Sequence, residues 1–181
     1  MRAKVSRRLV IDASVARAAG GEGAAAPLPK QCRDFLKTML AVRHHVVLTP
    51  AVSAEWKKHA SGFAMQWRTA MVARKLSLYI DVPEDVELRD ALDSTSETER
   101  DRRAMLKDAH LVEAAQATDR TVVSLDERVR ALFAAASERV RALKSVVWAN
   151  PGREAEACPK WLEDGAPPHP HRRLGARRAV K

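Results

Sequence analysis

Leu9-Val10-Ile11-Asp12-Ala13-Ser14 is the stretch on which the fold is decided. A short apolar run between Arg8 and an acid reads as a strand buried on both faces, with the chain turning at Asp12-Ala13-Ser14. The same pattern returns further along. Val46-Val47-Leu48 is closed by Thr49-Pro50, Thr121-Val122-Val123-Ser124-Leu125 is followed by Asp126, and Val146-Val147-Trp148 makes a last run. Leu78-Tyr79-Ile80, ended by Asp81-Val82-Pro83, adds a further short strand.

Helical spacing fills the intervals. Phe35, Leu36, Met39, Leu40 and Val42 recur with it between Gln31 and Val42. Pro50 suits the first turn of a helix, where a missing N–H costs nothing, and that helix carries Glu55 and Trp56 on its second turn. Phe63, Trp67 and Met71 form a stripe at i, i+4 and i+8, read as core packing. The charged stretch from Asp90 to Arg103 offers Ser94, Thr95, Ser96 and Thr98 as helix caps. A long helix then runs to about Ala117, with Leu106, Leu111, Val112, Ala114 and Ala115 inward. Asp126 opens another through Val129, Leu132 and Phe133. The glycines and prolines from Gly20 through Pro29 read as a flexible connection. Strands alternating with helices predict an α/β/α fold of three layers around a mostly parallel sheet.

The 181 residues suffice for one domain, placed at 1–149, plus an appendage. After Asn150-Pro151-Gly152, four prolines and a surplus of Lys and Arg over acids predict a basic, largely irregular tail over 150–181. The net charge of +9 favours polyanionic partners without choosing among them. Cys32 and Cys158 belong to no CxxC pair, which argues against a zinc knuckle or a disulfide framework. The basic N-terminus precedes too short an apolar run for a signal peptide, and no run reaches membrane-spanning length, so the expected location is the cytoplasm.

Four acids stand where the strands aim. In open α/β sheets functional groups gather beyond the carboxyl ends of the strands. Asp12 follows the first strand, Asp126 follows the run ending at Leu125, and Glu55 comes about a turn into the helix that leaves the second strand. Asp108 lies in the helix feeding the strand at Thr121. That helix runs antiparallel to its strand, and the ~14 Å from Asp108 to Ala117 carries Asp108 to the carboxyl edge. Asp119 falls at the opposite end and is excluded. Four carboxylates in one pocket repel one another, and a divalent cation relieves this. Oxygen-only ligation points to Mg²⁺ or Mn²⁺, ions that serve phosphodiester hydrolysis.

These segments resemble the PIN-domain nucleases. Val10-Ile11-Asp12-Ala13-Ser14 is similar to that family's opening strand and first acid, and Leu48 through Glu55 to its second-acid segment. Lys107-Asp108-Ala109-His110-Leu111-Val112-Glu113-Ala114-Ala115 is similar to the third-acid helix, and Val122-Val123-Ser124-Leu125-Asp126 to the final strand with its hydroxyl residue and fourth acid. The likeness spans roughly residues 8–148. It implies a compact nuclease domain that hydrolyses RNA with Mg²⁺ or Mn²⁺. Asp12, Glu55 and Asp108 would hold the metal, with Asp126 as a further ligand or acting through water. Ser14 and Ser124 match positions that support the acids by hydrogen bonds. Many small bacterial members are VapC-like toxins that dimerise and are silenced by an antitoxin protein. This chain is longer than such toxins and lacks their usual aromatic-and-glycine ending.

Arg68, Arg74, Lys75, Arg102 and Arg103, with Arg100, are the cations expected to meet RNA phosphates. The Arg172-Arg173 and Arg177-Arg178 pairs would add salt-sensitive affinity. His44-His45 read as a loop or cap and His59 as a surface residue. The alternative to an endoribonuclease is an inactive PIN fold that binds RNA or serves as a scaffold. A flap-type DNA nuclease would need a helical arch or duplex-gripping element that the sequence does not show.

Overall fold

The computed structural model describes residues 5–21, 26–96 and 98–176. Five strands, β1 (Arg8–Ile11), β2 (His45–Leu48), β3 (Ser77–Tyr79), β4 (Thr121–Val123) and β5 (Val147–Ala149), form one sheet in the order β3-β2-β1-β4-β5. All four pairings are parallel. Central parallel strands lose both faces to helices, which explains the uninterrupted apolar runs. Leu9, Val10 and Ile11 are fully buried, and each contributes on the order of 2 kcal/mol of apolar burial. Arg8 sits at the amino end of β1 and pairs there with Asp119 at 2.6 Å. That contact puts Asp119 on the edge away from the four acids.

Among the described residues, eight helices flank the sheet to complete three layers: α1 (Ala13–Ala18), α2 (Pro27–Val42), α3 (Pro50–His59), α4 (Gly62–Ala73), α5 (Val86–Asp93), α6 (Glu99–Gln116), α7 (Glu127–Ala136) and α8 (Cys158–Glu163). α2 packs on α1, α4 and α8, while α6 packs on α5, α7, β1 and β4. The stripe on α4 is core, as expected: Trp67 and Met71 are buried, and Trp67 stacks on Trp56 with ring centroids 5.8 Å apart. Thr98 caps α6 by accepting from the Asp101 amide at 3.2 Å.

Three local expectations change. The turn after Asp12 is a helix, α1, whose small alanines gave no periodic apolar signal. Pro27 and Pro29 lie in the first turn of α2 instead of in a connection, because proline fits where the backbone N–H has no helical partner; Glu22 and Gly23 of that connection lie outside the described residues. The segment from residue 150 also folds back onto the domain. Pro159 lies in the first turn of α8, and Cys158, Trp161, Leu162 and Leu174 are buried. Arg173 bridges Val147 in antiparallel fashion, and Leu174 N donates to Val146 O at 2.9 Å. This covers the open edge of β5.

His44 ties that segment down. It is fully buried, accepts from the Arg7 amide through Nδ1 at 2.9 Å, and donates from Nε2 to the Leu162 carbonyl at 2.9 Å. Those two bonds need the neutral ring with its proton on Nε2. No helix among the described residues is long and apolar enough to cross a membrane.

Candidate active site

β1 and β4 are neighbours, yet the chain leaves β1 towards β2 and leaves β4 towards β5. Such a reversal opens a crevice beyond the carboxyl ends of the two strands. Asp12 stands at its lip, its amide donating to Val123 O at 2.9 Å. Asp12 Oδ2 accepts from Ser14 Oγ at 2.5 Å and from Ser124 Oγ at 2.7 Å. The same hydroxyl oxygens accept from the backbone: Ser14 Oγ from Leu125 N at 3.2 Å and Ser124 Oγ from Asp126 N at 3.1 Å. Each serine therefore relays a peptide dipole onto the Asp12 carboxylate, and the two link the end of β1 to the end of β4. Since both hydroxyl protons go to Asp12, the 3.5 Å approach between the two oxygens is packing.

The other acids are set by their helices. Asp126 caps α7, with Oδ1 accepting from Val129 N at 2.8 Å. Glu55 rides on α3, which starts at Thr49, whose hydroxyl accepts from Val52 N, and at Pro50. Trp56, buried beside it, donates from Nε1 to Ile11 O at 2.8 Å and so fixes α3 against the end of β1. Asp108 is brought over the crevice by α6. Burial, together with the negative charges of Asp12 and Asp126, pushes its carboxyl up to about 6 against the pull of Lys107 and His110. A carboxyl shifted that way is one that feels its neighbours' charge in a partly dry pocket.

Asp12, Glu55, Asp108 and Asp126 line one cavity of about 170 Å³. Ser14, Arg17, His59 and Lys107 share it. Sequence reasoning missed Arg17 and Lys107 and set His59 aside as a surface residue. Its Nε2 lies 3.5 Å from Glu55 Oε2, on the same helix face. Arg17 is one turn beyond Ser14 on α1, a spacing visible only once that stretch is known to be helical.

None of the six expected RNA-contact cations lines this cavity. Arg74 and Lys75 follow α4 where it turns into β3, at the amino edge opposite the acids. Arg68 stands on the body of α4. Arg102 donates to Ser96 O at 3.1 Å, and Arg103 pairs with Glu99. Arg177 and Arg178 lie outside the described residues.

The donor set of the cavity is all oxygen among the acids, which suits a hard divalent cation. The carboxylates ring the space without closing on one point: among the described residues, no group of three or more His, Cys, Asp or Glu side chains is arranged to hold a metal ion. Comparison of the chain with protein-family models, curated proteins and solved structures yields no match.

Proposed function

We propose that the chain is a divalent-cation-dependent endoribonuclease of PIN type, with Asp12, Glu55, Asp108 and Asp126 as its acidic centre. One observation carries the reading. Four carboxylates from four distant segments line a single small polar cavity at the switch point of the sheet. Like charges crowded into a partly desolvated space are costly, and a fold gains by them only when a cation is shared. Asp12 Oδ1, Asp126 Oδ2 and both Asp108 oxygens carry no hydrogen bond among the described residues, so they are the atoms that would meet Mg²⁺ or Mn²⁺. Such an ion supplies charge neutralisation at a scissile phosphate and a more acidic water.

The chain's own groups then have separate tasks. Ser14 and Ser124 orient the Asp12 carboxylate by donating to its Oδ2. Arg17 and Lys107, at the rim, attract and align the phosphate. The net charge of +9 raises the local concentration of the polyanionic substrate. RNA as the substrate follows from the PIN resemblance. A toxin held silent by a protein partner is the narrower form of this reading.

The second reading, an RNA-binding or scaffold protein without catalysis, is favoured by the open arrangement of the acids. Incubation of single-stranded RNA, structured RNA and DNA with Mn²⁺ separates the two. The wild type is expected to cut RNA only with metal, and Asp12→Asn and Asp108→Asn to lose at least ~100-fold in rate. Equal rates in all three proteins would remove the proposed centre. No cleavage of any substrate would favour the scaffold.

A further inference from the structure

A second cavity, of about 330 Å³, lies between α7, the segment after β5 and the C-terminal segment. It is bounded by Glu127 and Arg130 of α7, by Arg153 and Glu156 after β5, and by Arg172 and Arg173 of the C-terminal segment. Asp126 lines the acidic cavity and Glu127, the next residue, lines this one. Successive residues at the start of α7 thus belong to the two cavities.

Four guanidiniums surround two carboxylates here. Glu156 accepts from Arg130 Nη1 at 2.5 Å, from Arg172 Nη1 at 2.9 Å and from the Asn150 amide at 3.0 Å. Glu127 accepts from Arg153 Nη1 at 2.8 Å, from Arg130 Nη1 at 3.2 Å and from Asn150 Nδ2 at 2.8 Å. The carboxylates thus brace three of the four guanidiniums, Arg173 Nε donates instead to Pro168 O at 3.1 Å, and a surplus of positive charge remains. Arg172 is buried with its guanidinium 5.0 Å from the Trp161 ring centroid. Its Nε is buried without a hydrogen-bond partner among the described residues. Arg172 is therefore a fixed wall of the cavity, held by Glu156 and Trp161, while Arg153 and Arg173 are its exposed cations. Each guanidinium has five N–H donors in a planar fork that matches phosphate oxygens, and forks already held by carboxylates lose little freedom on binding.

We infer that this cavity binds a phosphate group in the backbone of the single-stranded polynucleotide whose scissile linkage lies over the four acids. The inference rests on the nuclease reading for its placement of the strand, and on the arginine cavity alone for its phosphate chemistry. Its size, at the lower end of small-ligand cavities, suits a phosphate with its sugar and not a peptide. The folded-back C-terminal segment supplies Arg172 and Arg173, which gives that segment a task beyond stability.

The test compares the full-length wild type with the double variant Arg153→Gln/Arg173→Gln. Both side chains are exposed, and the variant is checked by circular dichroism and by its melting temperature in chloride. Inorganic phosphate is expected to raise the wild-type melting temperature above that in sodium chloride of equal ionic strength, and the double variant to lose at least half of that rise. In EDTA, affinity for a single-stranded oligoribonucleotide is expected to fall at least about fivefold in the variant, with a salt slope shallower by about 1. Asp12→Asn should keep the phosphate response, so a failed nuclease reading leaves this readout intact. No rise beyond chloride, or an equal rise in the variant, would overturn the cavity. A lost phosphate response with unchanged RNA affinity would overturn the strand assignment in favour of a free phosphate ligand. A Glu-rich peptide that displaces phosphate at lower concentration would overturn it in favour of an acidic protein partner.

Discussion

Ser124 Oγ lies 2.7 Å from Asp12 Oδ2, joining residues 112 positions apart across the centre of the sheet. The contact exists because β1 and β4 are neighbours whose carboxyl ends coincide. Ser124 accepts from the Asp126 amide while it donates to Asp12, so one hydroxyl sets two of the four acids. Ser124→Ala should therefore lower cleavage by 10–100-fold, the range typical of groups that orient metal ligands. The fold should lose only ~1 kcal/mol. Ser14→Ala acts on the same oxygen, so the double variant should cost less than the two single effects combined. Rates and urea midpoints of the three variants check this; strict additivity would show that the serines act independently.

Asp108 sets a pH dependence of stability. Its carboxyl titrates at about 6 in the fold, against an ordinary 3.8. A raised carboxyl favours the protonated fold. Its stabilising contribution is therefore complete below about pH 4 and is lost as pH rises through about 6. Asp101, Asp119 and Glu127, whose carboxyls lie below their ordinary values, contribute the opposite slope. The readout is thus a difference: in EDTA, Asp108→Asn should match the wild type near pH 4 and exceed it by on the order of 1–3 kcal/mol at pH 7. A constant difference across that range would mean that the carboxyl is not under the strain described.

His44 works in the other direction. Burial holds its ring below the ordinary value of 6.5, while its bond to the Leu162 carbonyl opposes that shift. The neutral ring is the one the fold needs, so its contribution is full above about pH 6.5 and declines as pH falls below it. His44→Phe leaves Arg7 N–H and Leu162 C=O without partners, at a cost of about 2–4 kcal/mol near pH 8. The gap between wild type and variant should narrow at pH 5. A gap that widens there would contradict the neutral assignment.

The C-terminal segment should be indispensable to the folded domain. Trp161, Leu162 and Leu174 are buried, and each contributes about 2 kcal/mol. The segment also covers the β5 edge. A chain ending at Ala149 is expected to aggregate or to melt more than ~10 °C lower. A soluble truncated protein with the wild-type melting temperature would show that the segment merely lies on the surface.

The central strands were legible because burial on both faces leaves only apolar residues at Leu9 to Ile11 and Val46 to Leu48. The acids were legible for the same reason: each follows, or sits on the helix next to, a strand whose direction is known. What escaped has physical causes. Pro27, Pro159 and Pro170 break a helix interior but suit a first turn, and all three open helical turns here. Which of these a proline does is decided by the residues after it. The alanines of α1 pack by being small and leave no periodic trace. Arg17 and Lys107 could not be chosen among 32 Lys and Arg residues without knowing which ones face the cavity. That the Arg74-Lys75 pair lies at the amino edge, away from the acids, depends on α4 running back to that edge, which residue spacing alone does not give.

Titration calorimetry of Mn²⁺ into the wild type, Asp12→Asn and Asp108→Asn at neutral pH reaches the acidic cavity without relying on any substrate. The wild type should bind at least one ion, and each variant should bind at least ~10-fold more weakly while remaining folded. A wild type that takes up no manganese, or variants that bind it as tightly, would contradict the assignment of these carboxylates as a cation site.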